Sequence, residues 1–397
     1  MEAAPLYLKK REEKRLRNGH PWLFSNEVDV GRSPLKSYIP GQPVQVRTHG
    51  EDVVGYGYIN PQSLICVRLL SREPNTVLDQ DLMEERITRA LLLRDQFYDA
   101  PYYRLVYGEG DALPGLVIDR YDDVLVVQIG TAGMERVIPD LVAALKAVLQ
   151  PSGILLRNDT SSRGLEGLER YVSVAFGHVP EWLHVHEGKA QFQIQPAEGQ
   201  KTGWYYDHRR NRAEMMALVE GKTVLDLFSY VGAWGVGAAA AGASQATCVD
   251  SGEAALAGVG VSAELSGVSD RVETIRGDAL NVVRDLRKAG HTYDFVVVDP
   301  PAFIPRRKDM TAGVEAYRRL NGVAMQLVAD GGILVSASCS YHFARDKHLE
   351  TLSRVARGNR VHAQILYDGG QGPDHPRHPA LPESQYLSTF FVRVNHL

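Results

Sequence analysis

Residues 223–235 read TVLDLFSYVGAWG. An apolar run closes around Asp226, a tight loop follows, and a helix begins at Gly235. Strand, loop and helix start form the repeating unit of a doubly wound α/β sheet, and ligands bind such sheets where the strands end. Gly232 and Gly235 leave room for backbone to approach a ligand. A dinucleotide would need G-x-G-x-x-G here, because its pyrophosphate presses onto the loop. Ser229 and Tyr230 stand before Gly232 instead. The loop suits a ligand with an amino-acid head and no phosphate, such as S-adenosylmethionine.

The following runs repeat the pattern. QATCVD ends on Asp250, where an acid can hydrogen-bond ribose hydroxyls. RVETIRGD ends on Asp278, where a carboxylate can meet an adenine amine. DFVVVDPPAF places Asp299-Pro300-Pro301 directly after an apolar run. The prolines fix φ and remove N–H donors, so this loop is stiff and cannot extend the sheet. GILVSAS, VHAQILY and YLSTFFVRV follow, the last two as an expected antiparallel edge pair. Continuous β-branched runs separated by helical segments predict a mostly parallel sheet covered on both faces.

Upstream, residues 1–72 hold short β-like runs, QPVQVRT, VVGYGYI and LICVRLL, behind a basic segment expected to be helical. Residues 73–185 form a second compact α/β unit. It has a helical pattern in LMEERITRALLLRDQFY and a strand reversal at Asp122-Asp123. Residues 186–397 carry the alternating strands and helices. At 397 residues, 44% hydrophobic and 23% charged, the chain reads as a globular protein of two or three domains. It has no stretch suited to crossing a membrane. Three scattered cysteines, Cys66, Cys248 and Cys339, form neither a disulfide framework nor a metal spacing, which suits a reducing cytoplasm. The 13 histidines include no clear ligand pair, so no metal is expected. The net charge of −4 does not suggest a nucleic-acid binder, yet basic residues cluster at Lys9–Arg17, Arg209–Arg212 and Arg306–Lys308.

The succession VLDLFSYVGAW, CVD, GDA, VVVDPPAF resembles a class I S-adenosylmethionine-dependent methyltransferase. Nearly the whole chain resembles a narrower family, the large-subunit ribosomal RNA methyltransferase I type, which makes 5-methylcytosine in 23S rRNA. KKREEKRLRNGHPWLFSNEV, GYGYINPQSLICVRLLS, GDALPGLVIDRYDDVLVVQ, QKTGWYYDHRRNR and DHPRHPALPESQYLSTFFVRV carry the likeness. The resemblance implies an N-terminal PUA RNA-binding domain (1–72), a central α/β domain of EEHEE type (73–185) and a Rossmann-like methyltransferase domain (186–397). It implies cofactor contacts from Asp226, Phe228, Ser229, Tyr230, Gly232, Asp250, Ser251, Asp278, Ala279 and Asp299. Trp204-Tyr205-Tyr206 and His208 depart from the family's usual residues. Gly258 and Gly260 fall inside an expected helix, at about 1 kcal/mol each relative to alanine.

The resemblance also matches Cys339, in ASCS at the end of the fifth run, to the family's nucleophile. Cytosine C5 is a poor nucleophile, and a thiolate added at C6 makes it electron-rich. Cys66 and Cys248 lie within apolar runs and read as core. No second thiol follows the fourth run, so the base that releases the product is unassigned. Asp299 is expected to hydrogen-bond the cytosine and Phe303 to stack on it. The target base must be unpaired or flipped out, which brings the basic clusters and Trp22 forward as an RNA surface. The expected partner is 23S rRNA or a large-subunit assembly intermediate, and a homodimer is left open. Two other readings remain: methylation of a nitrogen without a covalent step, and an RNA-binding assembly factor with a vestigial methyltransferase fold.

Overall fold

The structure, a computed structural model, describes residues 3–397. The chain divides into two compact units. The first holds the residues up to Glu181 together with Gln195–Trp204 and Pro373–Ser384; the second holds Trp182–Ile194, Tyr205–Gly372 and Gln385–Leu397.

The first unit contains two five-stranded sheets. Strands β1 (Ala4–Tyr7), β2 (Trp22–Phe24), β3 (Gln42–Arg47), β4 (Val53–Ile59) and β5 (Ile65–Ser71) make the first, in the order β1-β3-β4-β5-β2. Leu6, Leu23, Val44, Val46 and Val67 fill its core. The basic opening segment is helical only over α1 (Glu13–Arg17), and β1, which pairs parallel with β3, precedes it. Four residues, Ala-Pro-Leu-Tyr, are too few to show a period, so the sequence pattern does not reveal β1.

Strands β6 (Tyr102–Tyr107), β7 (Leu116–Tyr121), β8 (Val124–Ile129), β9 (Gly153–Asn158) and β10 (Tyr171–Gly177) run β10-β9-β8-β7-β6 in the second sheet. Helices α2 (Gln80–Arg94), α3 (Ala132–Glu135) and α4 (Ile138–Leu149) belong to this part of the unit, with Met83, Ile87, Leu141 and Leu145 in its core. Asp122 turns the β7–β8 hairpin with φ of 59°, a conformation that Asp tolerates better than most residues. A buried ion-pair cluster ties later chain to this sheet. Arg104 donates twice to Asp119, at 2.8 Å each, and Asp119 also accepts from the Thr202 hydroxyl. Asp374 accepts from Arg104 N, and its carbonyl accepts from Arg94.

The second unit begins with the hairpin β11 (Leu183–Glu187) and β12 (Ala190–Ile194). Its main sheet comprises β13 (Thr223–Leu227), β14 (Gln245–Asp250), β15 (Val272–Arg276), β16 (Tyr293–Val298), β17 (Val328–Ser338), β18 (Val361–Gly369) and β19 (Ser388–His396). Their order is β15-β14-β13-β16-β17-β19-β18. Strands β13 to β17 pair in parallel, and β19 runs antiparallel between β17 and β18. Between β13 and β16 the strand order reverses, and that switch point is where an open α/β sheet presents its crevice. Helices α5 (Arg209–Met216), α6 (Gly235–Ala241), α7 (Glu253–Leu265), α8 (Ala279–Lys288), α9 (Met310–Ala324) and α10 (Arg345–Asn359) complete the unit. Val296, Val298, Leu225, Leu334 and Val392 are buried in the core, as expected for strands covered on both faces.

The two glycines of α7 differ in cause. A Cβ at Gly258 would meet Val231 Cγ1 at 2.7 Å, so this glycine lets the helix close onto the loop after β13. A Cβ at Gly260 would meet nothing within 4 Å. Gly260→Ala should therefore stabilise the protein by about 0.5–1 kcal/mol in denaturant unfolding. Gly258→Ala should destabilise it and disturb the loop at Val231.

Candidate active site at the sheet switch point

The loops after β13 and β16 meet at the crevice through Asp299. Its carboxylate accepts from Trp234 Nε1 at 3.1 Å and lies 3.3 Å from His208 Nε2. Burial opposes ionisation of Asp299, but His208 and the Trp234 hydrogen bond outweigh it and hold the carboxyl below its usual range. Asp299 is thus an ionised acceptor with 21% of its side chain exposed. His208 is buried, packs edge-on to Trp234 with centroids 5.6 Å apart, and lies 3.3 Å from Asn211 Nδ2 through its other ring nitrogen. His208 marked a departure from the resembled family, and Trp234 lay in the quoted loop. Neither spacing predicted their meeting on one carboxylate.

Asp226 is fully buried. One oxygen accepts from Gly235 N at 2.9 Å, and the other, like Ser229 Oγ, makes no hydrogen bond within the protein. Burial, reinforced by Asp299 and Asp250, pushes the Asp226 carboxyl up to about 8, against the pull of the Gly235 N–H. Phe228 and Tyr230 adopt positive φ, 66° and 50°, and Gly232 follows at 88°. Non-glycine residues held there store backbone strain of about 1–3 kcal/mol each, typical of binding loops. The space left by the missing Cβ of Gly235 is filled by Cys248 Sγ and Asp226, so that glycine serves helix–strand packing.

Asp250 accepts from Tyr230 N at 3.0 Å and from Gly252 N at 2.8 Å while remaining partly exposed. Beside it Ser251 is exposed. Asp278 is exposed and caps α8, accepting from Asn281 N at 3.1 Å, and Ala279 is the buried first residue of that helix. An N-cap uses one carboxylate oxygen and leaves the other available to a ligand.

Cys339 follows β17, is partly exposed, and its Sγ lies 4.0 Å from Pro300 O. The thiol and the Asp-Pro-Pro loop therefore share one side of the crevice. Cys66 and Cys248 are buried, and burial pushes both thiols up, Cys66 to about 12. Tyr205 stands at the same place: burial, with Asp299, Asp207 and Cys339 nearby, pushes its phenol far up and keeps it protonated. Its ring packs edge-on to Tyr230, centroids 5.9 Å apart, and its carbonyl accepts from Arg212 at 2.9 Å. Asp207 is buried and accepts from the Tyr386 hydroxyl at 2.6 Å. Phe303 is half-buried, tilted against Tyr317 at 4.9 Å.

Several residues grouped by sequence as a basic or aromatic surface have structural duties. Arg212 is buried and paired with Glu187. Trp22 donates to Glu109 at 2.7 Å, and Arg68, also paired with Glu109, lies 5.2 Å from its ring. Arg210, Arg307 and Lys308 are exposed. Among the described residues no cluster suits a metal ion, and no helix is long and apolar enough to cross a membrane.

Comparison with known proteins gives this geometry its context. Residues 172–374 match the family model described as S-adenosylmethionine-dependent methyltransferase, and residues 6–72 match a PUA-like domain. The protein named Ribosomal RNA large subunit methyltransferase I of Shewanella denitrificans is 34% identical over 99% of this chain and all of its own. That of Photobacterium profundum is 32% identical over 98% of this chain and 99% of its own. Among solved structures, SMU.776, a candidate methyltransferase complexed with SAH, superposes with a TM-score of 0.83 at 21% identity, covering 99% of this chain and 100% of that one.

The protein's cofactor is S-adenosylmethionine, and the residues present fit it. Asp250 and Asp278 offer carboxylate oxygens at successive strand ends. The loop between β13 and α6 lacks a phosphate-binding glycine pattern, and Ser229 Oγ on it and Asp226 Oδ1 at the end of β13 are buried polar atoms without protein partners. The surrounding acids suit a ligand that carries positive charge.

The raised Asp226 carboxyl has a measurable consequence in the cofactor-free protein. Its folded value of about 8 lies above the unfolded value near about 3.9. The stability it contributes is full at low pH and is lost as pH rises from about 4 to about 8. In urea unfolding, native protein should lose stability relative to Asp226→Asn across that window. Parallel pH profiles would show that the carboxyl is not raised.

Proposed function

Because the chain belongs to the ribosomal RNA large subunit methyltransferase I family, we propose that it methylates C5 of a cytosine in 23S rRNA with Cys339 as nucleophile. The observation that carries the reading is the partly exposed Cys339 Sγ, 4.0 Å from Pro300 O beside the ionised Asp299. S-adenosylmethionine supplies an electrophilic methyl group.

The roles of the chain's residues follow. The Cys339 thiolate adds to C6 of the base, forming a C–S bond, and the C5–C6 π electrons become available at C5. Once C5 is methylated, loss of its proton to a base lets the C–S bond break and the ring regain its double bond. Asp299, held ionised, accepts a hydrogen bond from the cytosine exocyclic amine and orients the ring. Tyr205, held protonated, is a donor at the same place and not the base. On the cofactor side, Asp250, Ser251 and Asp278 contact the ligand with Ala279 behind them, while Asp226 acts through the backbone of Gly235 to hold Phe228, Ser229, Tyr230 and Gly232 in their loop.

A cytosine inside a duplex cannot enter such a crevice, so the target is single-stranded or flipped. The PUA-like residues 6–72 support an RNA partner, either 23S rRNA or a large-subunit assembly intermediate. In this reading residues 1–72, 73–185 and 186–397 are the RNA-binding, central and catalytic parts.

The test is nucleoside mass spectrometry of unmodified 23S rRNA treated with S-adenosylmethionine and either native enzyme or Cys339→Ala. We expect new 5-methylcytidine from the native enzyme and none from the variant. A methylated purine or N4-methylcytidine made equally by both would replace the reading with nitrogen methylation.

A further inference from the structure

Both chain neighbours of Cys339 are anchored to one tyrosine. Tyr317, on α9, is fully buried. Its hydroxyl accepts from Ser338 Oγ at 2.9 Å and lies 2.9 Å from Ser340 Oγ. Either hydroxyl of the Tyr317–Ser340 pair can be the donor, and in both cases one hydrogen bond joins them. Ser340 N in turn donates to Ser338 Oγ at 3.2 Å, which closes a small ring of hydrogen bonds around the backbone of Cys339. Ser340 Oγ also accepts from Ile304 N at 3.2 Å, on the loop that begins Asp299-Pro300-Pro301. The tyrosine ring is clamped independently of its hydroxyl: Phe343 stacks on it at 4.5 Å and an angle of 3°.

We propose that Tyr317 is a positioning residue for the nucleophile: its hydroxyl fixes Ser338 and Ser340, and so sets the Cys339 thiol in register with the Asp-Pro-Pro loop. This rests on the reading of Cys339 as nucleophile. A thiol at a strand end would otherwise follow the motions of a loop, and a displacement of about 1 Å can slow a reaction about a hundredfold. Four groups meet at one hydroxyl pair: the two serines that flank the thiol, the loop that faces it, and the helix that covers both. Burial pushes the Tyr317 phenol up, so it stays protonated and keeps its donor. The role is positional, since the hydroxyl is buried among these partners.

Tyr317→Phe keeps the stacked ring and removes the hydroxyl. Turnover should fall about 10- to 100-fold, with KM for RNA and affinity for S-adenosylmethionine within about twofold of native. Alkylation by iodoacetamide supplies a readout independent of methylation, because Cys66 and Cys248 are buried and Cys339 is the partly exposed thiol. In the variant Cys339 should alkylate faster, having lost its fixed place beside Pro300 O, while mass spectrometry finds Cys66 and Cys248 unmodified. Ser340→Ala cuts the same link from the other end. It should act in the same direction, and the double variant should be no worse than the poorer single one. Native turnover in Tyr317→Phe, in an enzyme that needs Cys339, would overturn the proposal. So would a loss accompanied by alkylation of all three cysteines, which marks general loosening. If Cys339→Ala itself keeps native turnover, the nucleophile reading fails. The alkylation rate then decides alone whether Tyr317 holds the thiol, an unchanged rate counting against it.

Discussion

The second unit is organised around the carboxylate of Asp299. Strand β16 delivers it to the switch point of the sheet, and the following prolines keep it there. Trp234 reaches it from the loop after β13, and His208 reaches it from the segment before α5. Three stretches distant in sequence are thereby brought to one pair of oxygens. A buried charge left without these partners would be expensive, so the contacts that shape the crevice are also contacts the fold cannot easily give up.

The chemistry of the crevice is dominated by acids. Asp207, Asp226, Asp250 and Asp299 come from four different segments; burial first, then the charges of Asp299 and Asp250, keep Asp226 from ionising, while His208 and Trp234 hold Asp299 charged. Such a field attracts a cation and repels phosphate. In the proposed reaction this divides the labour: a cationic cofactor and a neutral base enter, while the RNA backbone stays outside. Exposed cations such as Arg307 and Lys308, on the loop that follows the prolines, are available there.

Much of this architecture was legible because it is local. The β-branched runs of β13, β14 and β16 are buried on both faces, and the acids that end them could be picked out by position. The antiparallel pairing of β18 and β19 was also readable, though not that β19 inserts beside β17. What escaped is long-range. Nothing near Arg212 announces Glu187, so a buried ion pair looked like part of a basic patch. Likewise Tyr317 is an unremarkable residue on α9 until the fold brings Ser338 and Ser340 to its hydroxyl. Asp278 was expected as a ligand contact from its place at a strand end, and only the fold shows that it also caps α8.

The place of β19 in the sheet has a consequence for how the chain is made. Strand β17, which leads to Cys339, has β16 on one side and β19 on the other, and β19 is synthesised well after both. On a translating ribosome the strand that leads to Cys339 therefore waits with one hydrogen-bonding edge unpaired until Ser388–His396 emerge. Cys339 is framed by strands on both sides of β17 only when synthesis has passed that point, which separates the making of this enzyme from its use on RNA.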